Sequence, residues 1–462
     1  MKKVLLLVFC LLILGTSIFA ASAKPLVLTM FSGDINPDDT GFEDPIAKEI
    51  TKRTGIKLKT EYPVGEYEQK VTLMIASGEY PDLIFHKGAG PFVEAKAFVD
   101  LTPYIEKYGD NVKKLYGPYL KRLRYSAEDK SIYFLGCFGV GSETWDVSGV
   151  QLQHAVVKEL GYPRIETVKD FENAIKAYKE KYPTINGKPT IGLSLLADDW
   201  RMLITVTNQA VFATGGPERQ AGMYERTYGN YPVVLDERFK RAELQDPGYS
   251  AGWGIAISTK CKDKVAAFKF LDWMASDEAQ ILNNWGIEGV NYQVVNGKRV
   301  IPPDELDRKN NDPLYRKKTG VGLYVHPFPQ RGDGVKDPTG NTYTTLTPDF
   351  IINRYSDVEK EVLAGYGAKM WMDLFPQRDE FPVKTWGACW QIPEPQDPAY
   401  KVPWQKGQDI IKKRIPEAIL AKPDKFDEIW DQFMKELEAA GIPQAEAIFN
   451  QLLEEKIKLW NE

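Results

Sequence analysis

Between Leu26 and Phe85 the chain alternates between the two periodicities that separate strands from helices, and this alternation constrains its fold more than any other feature. Leu26-Val27-Leu28-Thr29-Met30 is a short strand pattern, followed by the turn-rich Ser32 to Thr40. From Pro45 through Arg53, Ile46, Ala47 and Ile50 fall on one helical face, and Gly55 stops the helix. Ile56 to Glu61 alternates apolar and polar as a half-buried strand does. Tyr67 to Ser77 reads as a second helix capped by Gly78, and Asp82-Leu83-Ile84-Phe85 as a third strand. Strand, helix, strand, helix, strand predicts a parallel sheet with helices on its faces, where ligands bind beyond the C-terminal ends of the strands. Phe85, His86 and Lys87 would sit at such an end.

Further along, Val168 to Lys181 is a helix capped by Thr167 or a neighbour, Asn186-Gly187 is a turn, and Asp263 to Ser276 is an amphipathic helix. Pro302 to Asp349, rich in Pro, Gly, Asp and Asn, reads as a long irregular stretch suited to a crossing between lobes. The last hundred residues turn mainly helical, with helical spacing at Val358–Lys369, Gln408–Ile415, Lys425–Ala440 and Gln444–Trp460. A length of 462 residues predicts two or three domains.

The N-terminus carries an export signal. Met1-Lys2-Lys3 places two charges before the apolar run Val4 to Leu14, which is too short to span a bilayer, and Ala21-Ser22-Ala23 is the small-residue pattern of a cleavage site. Residues 1–23 are therefore expected to leave as a signal peptide, with Lys24 first in a soluble mature chain. A permanent anchor is the competing account. Phe9 before Cys10 is too large for a lipobox, so Cys10 reads as apolar filler. The expected location is periplasmic or extracellular, at the outer face of the cytoplasmic membrane.

Cys137, Cys261 and Cys389 are widely spaced and odd in number, so no disulfide framework or zinc pattern follows. A net charge of -5 argues against a nucleic-acid partner. The 11 Trp, 23 Tyr and 21 Phe suit apolar cores and the faces of sugar rings alike.

Catalytic patterns are missing. His86, His154 and His326 form no metal-binding spacing, and there is no Gly-x-Ser-x-Gly elbow, Walker loop or dinucleotide fingerprint. No metal or cofactor is expected. Asp198-Asp199 is a carboxylate pair, but adjacent residues usually point apart. Asp304, Asp307, Asn310, Asn311 and Asp312 cluster, as do Asp333, Asp337 and Asn341. Neither group has EF-hand spacing, and both read as solvated turns.

Five segments, in order along the chain, point to a family. Ala76-Ser77-Gly78-Glu79-Tyr80-Pro81-Asp82-Leu83-Ile84 contains a Ser-Gly-x-x-Pro-Asp signature, and Phe98 to Ile105 follows the pattern Leu-x-Asp-Leu-Thr-Pro. Gly252-Trp253-Gly254-Ile255-Ala256-Ile257-Ser258 leads into the helix at Phe268 to Ala275. Asn284 to Tyr292 and Phe426 to Ala440 complete the set. Together they resemble bacterial extracellular solute-binding proteins of carbohydrate ABC importers, in the oligosaccharide-binding branch that includes alginate- and pectin-fragment binders. The resemblance implies a two-lobed α/β fold like that of periplasmic binding proteins, with an interlobe hinge and a mainly helical C-terminal part. The implied first lobe takes residues 24–146 plus 251–325 and the second 147–250 plus 326–462. A monomer is expected to close on a carbohydrate ligand without covalent chemistry and be recognised by a membrane permease.

The stacking candidates are Trp145, Trp200, Trp253, Trp386 and Trp390, each near loop signals or glycine, with core packing as the competing account. Trp253 is the best placed, since Gly252 and Gly254 let backbone and ligand approach closely. Asp199 and Arg201 flank Trp200 and could hold hydroxyls, or pair on a solvated turn. Glu288 between Gly286 and Gly289 would be a buried acid satisfied by sugar hydroxyls. His86 is a further candidate at a strand end. Helical spacing assigns Trp273, Trp430 and Trp460 to packing.

The sequence departs from the family pattern between Gly215-Gly216-Pro217 and Tyr231, where relatives carry a markedly longer stretch. Either another segment fills that place, or the second lobe is depleted and binding altered. The Tyr182–Pro189 loop lacks the acids of a calcium site that some relatives have. Competing functions are an exported polysaccharide-degrading enzyme and a degenerate binding protein acting as a surface adhesin or sensor subunit.

Overall fold

The computed structural model describes residues 24–142, 150–192, 228–234, 237, 249, 251–376 and 386–462. The N-terminal alternation folds as the periodicity requires. Strand β1 (Leu26–Ser32), helix α1 (Pro45–Thr54), strand β2 (Ile56–Glu61), helix α2 (Tyr67–Ser77) and strand β3 (Leu83–His86) follow one another. Asp44 caps α1 by accepting from the Ala47 N–H at 2.9 Å, and Gly55 ends it at φ 70°, its N–H returning to Thr51 O. Gly78 ends α2 in the same left-handed way, at φ 66°.

Strand β1 pairs in parallel with β2 and β3. Strands β4 (Phe134–Gly136) and β5 (Gly254–Ile257) complete a five-stranded sheet in the order β2-β1-β3-β5-β4, and β5 runs antiparallel to both of its neighbours. The parallel reading thus holds for the first three strands, and the returning strand reverses direction. Helix α3 (Lys264–Met274) follows β5 and supplies Phe268 and Phe270 to the core beneath, along with Phe31, Ile46, Phe92 and Phe328.

Asp82 explains why the Pro-Asp pair stands at the mouth of β3. Its carboxylate accepts from the N–H and hydroxyl of Thr29, both at 2.8 Å, and from the Lys262 N–H at 3.2 Å, tying β1 and the segment after β5 to the start of β3. Burial pushes its pKa up, but these hydrogen bonds prevail and hold the carboxyl below the usual range.

A second apolar cluster forms around Trp371, Tyr231 and Val362. It is covered by the antiparallel pair Val150–Gln153 and Tyr228–Tyr231 and by helices including Val168–Lys181 and Asp357–Gly365. Val168–Lys181 begins with a capping box between Thr167 and Asp170. Where the chain leaves the first cluster, Gly139-Val140 pairs in parallel with Gln330-Arg331, so two crossings run side by side.

The stretch Pro302–Asp349 is less irregular than its composition predicts. Pro303–Asn311 and Tyr315–Thr319 are helices, and Glu305 on the first is buried, accepting from the Tyr315 hydroxyl (2.6 Å) and the Asn291 amide (2.8 Å). Asp304, Asp307, Asn310 and Asn311 therefore lie on a helix rather than a solvated turn. Asp337 is also buried, in an ion pair with Arg299 at 2.6 Å. Charge-rich helices mimic loops because polar side chains mask their apolar spacing.

The C-terminal part is helical: α4 (Pro398–Leu420), α5 (Phe426–Ala439) and α6 (Ile442–Asn461). Gly407 allows α4 and α6 to touch, since a Cβ there would sit 2.4 Å from Ile442 Cδ1. Helix α6 then reaches back to the first apolar cluster. Trp460, buried, donates from Nε1 to Gln391 Oε1 (3.0 Å), and the Gln391 amide donates to Ala251 O (3.0 Å). Cys137, Cys261 and Cys389 are free thiols.

Candidate binding site

A cavity of about 540 Å³ opens beyond the C-terminal end of β3, between the sheet and the C-terminal helices. Its sheet side starts from Lys87. The Lys87 N–H donates to the Tyr67 hydroxyl at 2.9 Å, and its ammonium pairs with Asp34 at 2.5 Å. The same ammonium lies 5.3 Å from the Trp253 ring centroid and 5.7 Å from that of Tyr67, within cation–π reach of both. Burial pushes the Tyr67 phenol up to about 12, so it is neutral and orients the Lys87 backbone.

Trp253 stands just before β5, 38% exposed, with Phe138 tilted against it at 6.0 Å. The facing rim comes from Trp386–Gln391, a 3-10 turn, and the segment after it. Trp390 is 57% exposed there. Its carbonyl comes so close to Gly252 that a Cβ at that position would lie 2.1 Å from the oxygen. Gly252 thus lets the two tryptophan-bearing segments meet, which gives the glycine beside Trp253 a structural reason. Glu394 and Lys401 extend the rim from the helical side, and Lys456 lies deeper on the same wall.

Two half-exposed indoles, flanked by charged and amide groups on a concave surface, can hold the apolar face of a ring and bind its polar edge. Among the described residues lining this cavity there is no His, Cys or Ser.

The structure brings Trp253 and Trp390 onto one cavity and corrects two other expectations. His86 has no accessible surface. It packs between Phe98 and Phe134, neither ring nitrogen has a hydrogen-bond partner, and burial pushes it down to about 3. As the last residue of a strand buried on both faces, it belongs to the core and is not a ligand group. Glu288 is exposed on the Gly286–Gly289 turn and does not line the cavity. The buried acid of that region is Glu305. The backbone of Trp386 opens the 3-10 turn, whereas Trp145, Trp200, Asp199 and Arg201 lie outside the described residues, as does most of the shortened segment. Trp460 is core packing as expected. Tyr67, Lys401 and Lys456 escaped sequence reasoning. For Lys456 a signal existed, because it occupies the apolar face of α6 that also carries Leu459 and Trp460.

The family model for bacterial extracellular solute-binding proteins matches residues 32–281, more than half of the chain. Lipoprotein LipO of Bacillus subtilis (strain 168) is 30% identical, over 69% of this chain and 77% of LipO. Among solved structures, an extracellular solute-binding protein from Bifidobacterium longum subsp. infantis aligns with a TM-score of 0.63 at 16% identity, covering 95% of this chain and 99% of that one. FusA, an ABC-transporter substrate-binding protein of S. pneumoniae solved in complex with kestose, aligns with a TM-score of 0.55 at 16% identity, covering 94% and 99%. These alignments establish a shared two-lobed α/β fold with a helical C-terminal part. By family match, relative and fold, the chain belongs to the bacterial extracellular solute-binding proteins.

Proposed function

We propose that the protein is a non-catalytic receptor that binds a sugar, in the form of an oligosaccharide, outside the cytoplasmic membrane and delivers it to the permease of an ABC transporter. The observation that carries this reading is the convergence of Trp253 and Trp390 on one cavity at the strand ends. Its size falls within the roughly 300–1,000 Å³ usual for small-molecule sites. The kestose bound by FusA, and the description of another neighbour of the same fold as HMO-binding, support a saccharide.

Export rests on the signal pattern in residues 1–23, and the family's extracellular character is consistent with it. The lobe limits belong to the proposal: residues 24–146 with 251–325 form the first lobe, and 147–250 with 326–462 the second, whose last helix leans on the first. The receptor acts as a monomer, without a metal or cofactor.

Calorimetry of the mature chain against neutral and acidic oligosaccharides, with product analysis of the same mixtures, tests the proposal. Saturable binding without product is the expected result. Release of shorter saccharides would establish an enzyme, and absence of binding across the panel would leave a protein that no longer carries sugar.

A further inference from the structure

One group on the cavity wall is not needed for stacking. Lys456 is 6% exposed on the inward face of α6 and still lines the cavity. Its ammonium donates to the carbonyls of Arg124 (2.5 Å) and Tyr125 (2.8 Å), which uses two of its three N–H bonds. Among the described residues no carboxylate forms an ion pair with it. A buried ammonium left without a counter-ion is costly, so such a group either sheds its proton or takes up an anion. Burial alone pulls its pKa down to about 7, with no nearby acid restoring it.

The other charged groups on the wall are Glu68, Lys87, Arg124, Glu394 and Lys401. Lys87 is committed to Asp34, and Arg124 lies 3.8 Å from Glu462. Lys401 is exposed and donates to the Gln396 side-chain oxygen at 2.9 Å, and among the described residues no carboxylate forms an ion pair with it. Glu68 and Glu394 are both exposed. The deepest ionisable group on the helical side is therefore an amine with no counter-ion, which an incoming anion would hold protonated, and a cation lies nearer the opening.

We propose that the Lys456 ammonium receives a negatively charged substituent of the bound saccharide, a ring carboxylate or a sulfate. This inference rests on the reading of the cavity as the sugar site. The third N–H of Lys456 supplies a charge-assisted hydrogen bond to the anion, and Lys401 adds field at the rim. Specificity then comes from the helical wall, while ring stacking comes from Trp253 and Trp390.

The test is calorimetry of the full mature chain against oligouronides, against sulfated oligosaccharides, and against the carboxyl-reduced or desulfated counterpart of each. The wild type should bind one anionic class at least about tenfold more tightly than its neutral counterpart, as one charge-assisted bond allows. Which arm shows the preference identifies carboxylate or sulfate. Lys456→Met should abolish the preference and Lys456→Arg keep part of it, with thermal melting confirming that both variants are folded. Neutral oligomers bound as tightly as anionic ones would overturn the anion inference and leave the sugar reading standing. So would an undiminished preference in folded K456M. Binding of no saccharide in any arm would instead bring down the sugar reading itself, and this inference with it.

Discussion

The two walls of the cavity are built in opposite ways. On the sheet wall, β3 is buried over its whole length, and Lys87 and Trp253 flank the paired ends of β3 and β5. The helical wall is brought in from more than a hundred residues later in the chain, and among its attachments are side-chain anchors: Trp460 to Gln391 to Ala251, and Lys456 to two carbonyls. The sheet wall is a product of local pattern. The helical wall depends on the most remote contacts in the chain, so the shape of the cavity is set by the part of the fold that local pattern specifies least.

The contrast can be broken most forcefully at Trp460. Trp460→Ala should cost about 3–5 kcal/mol in urea denaturation, through the void left by a buried indole. It should also weaken ligand binding by displacing the Trp390 rim. A variant that unfolds like the wild type would show that α6 does not hold this wall. On the sheet side the corresponding weak point is acid. Burial lowers the His86 pKa in the folded chain to about 3, against an ordinary value of 6.5. The unfolded chain therefore takes up the proton first, and stability falls as pH drops from about 6.5 toward 3, by a few kcal/mol in total. His86→Phe should flatten that part of the pH–stability curve, and a curve of unchanged slope would contradict the burial.

Smaller effects sharpen the junction of the walls. Gly252→Ala forces a Cβ against the Trp390 carbonyl and should cost about 1–3 kcal/mol by overpacking. Its effect on ligand affinity should exceed that of an alanine substitution at Glu288, which lies off the cavity. Lys87→Met removes a half-exposed pair with Asp34 and should change stability by only about 0.2–1 kcal/mol, checked by the shift of the melting midpoint.

Legibility in the sequence follows the same division. Elements stabilised by neighbours in sequence were readable: β1 through β3, the glycine stops at Gly55 and Gly78, the Thr167 cap, and the amphipathic α3. Trp253 was readable because flanking glycines mark a close backbone approach. His86 misled because a strand end predicts position along the sheet, while burial is decided by what packs over it, here Phe98 and Phe134. Glu288 misled because its glycines serve the turn: Gly286 and Gly289 take positive φ, and the Asn291 side-chain Oδ1 accepts from the Ile287 N–H. The helix Pro303–Asn311 was hidden by its charges. Nothing within a few residues of Tyr67 indicates a cavity, and Lys456, although it interrupts the apolar face of α6, is tied to a cavity only once the walls are assembled.

The most direct test of the central claim is a double-mutant cycle on Trp253 and Trp390, read by calorimetry with whichever oligosaccharide the wild type binds. Each tryptophan to alanine change should weaken binding by at least about tenfold, ~1.4 kcal/mol, and the double variant should depart from additivity because both rings serve one ligand. Wild-type affinity in folded W253A and W390A would contradict the account.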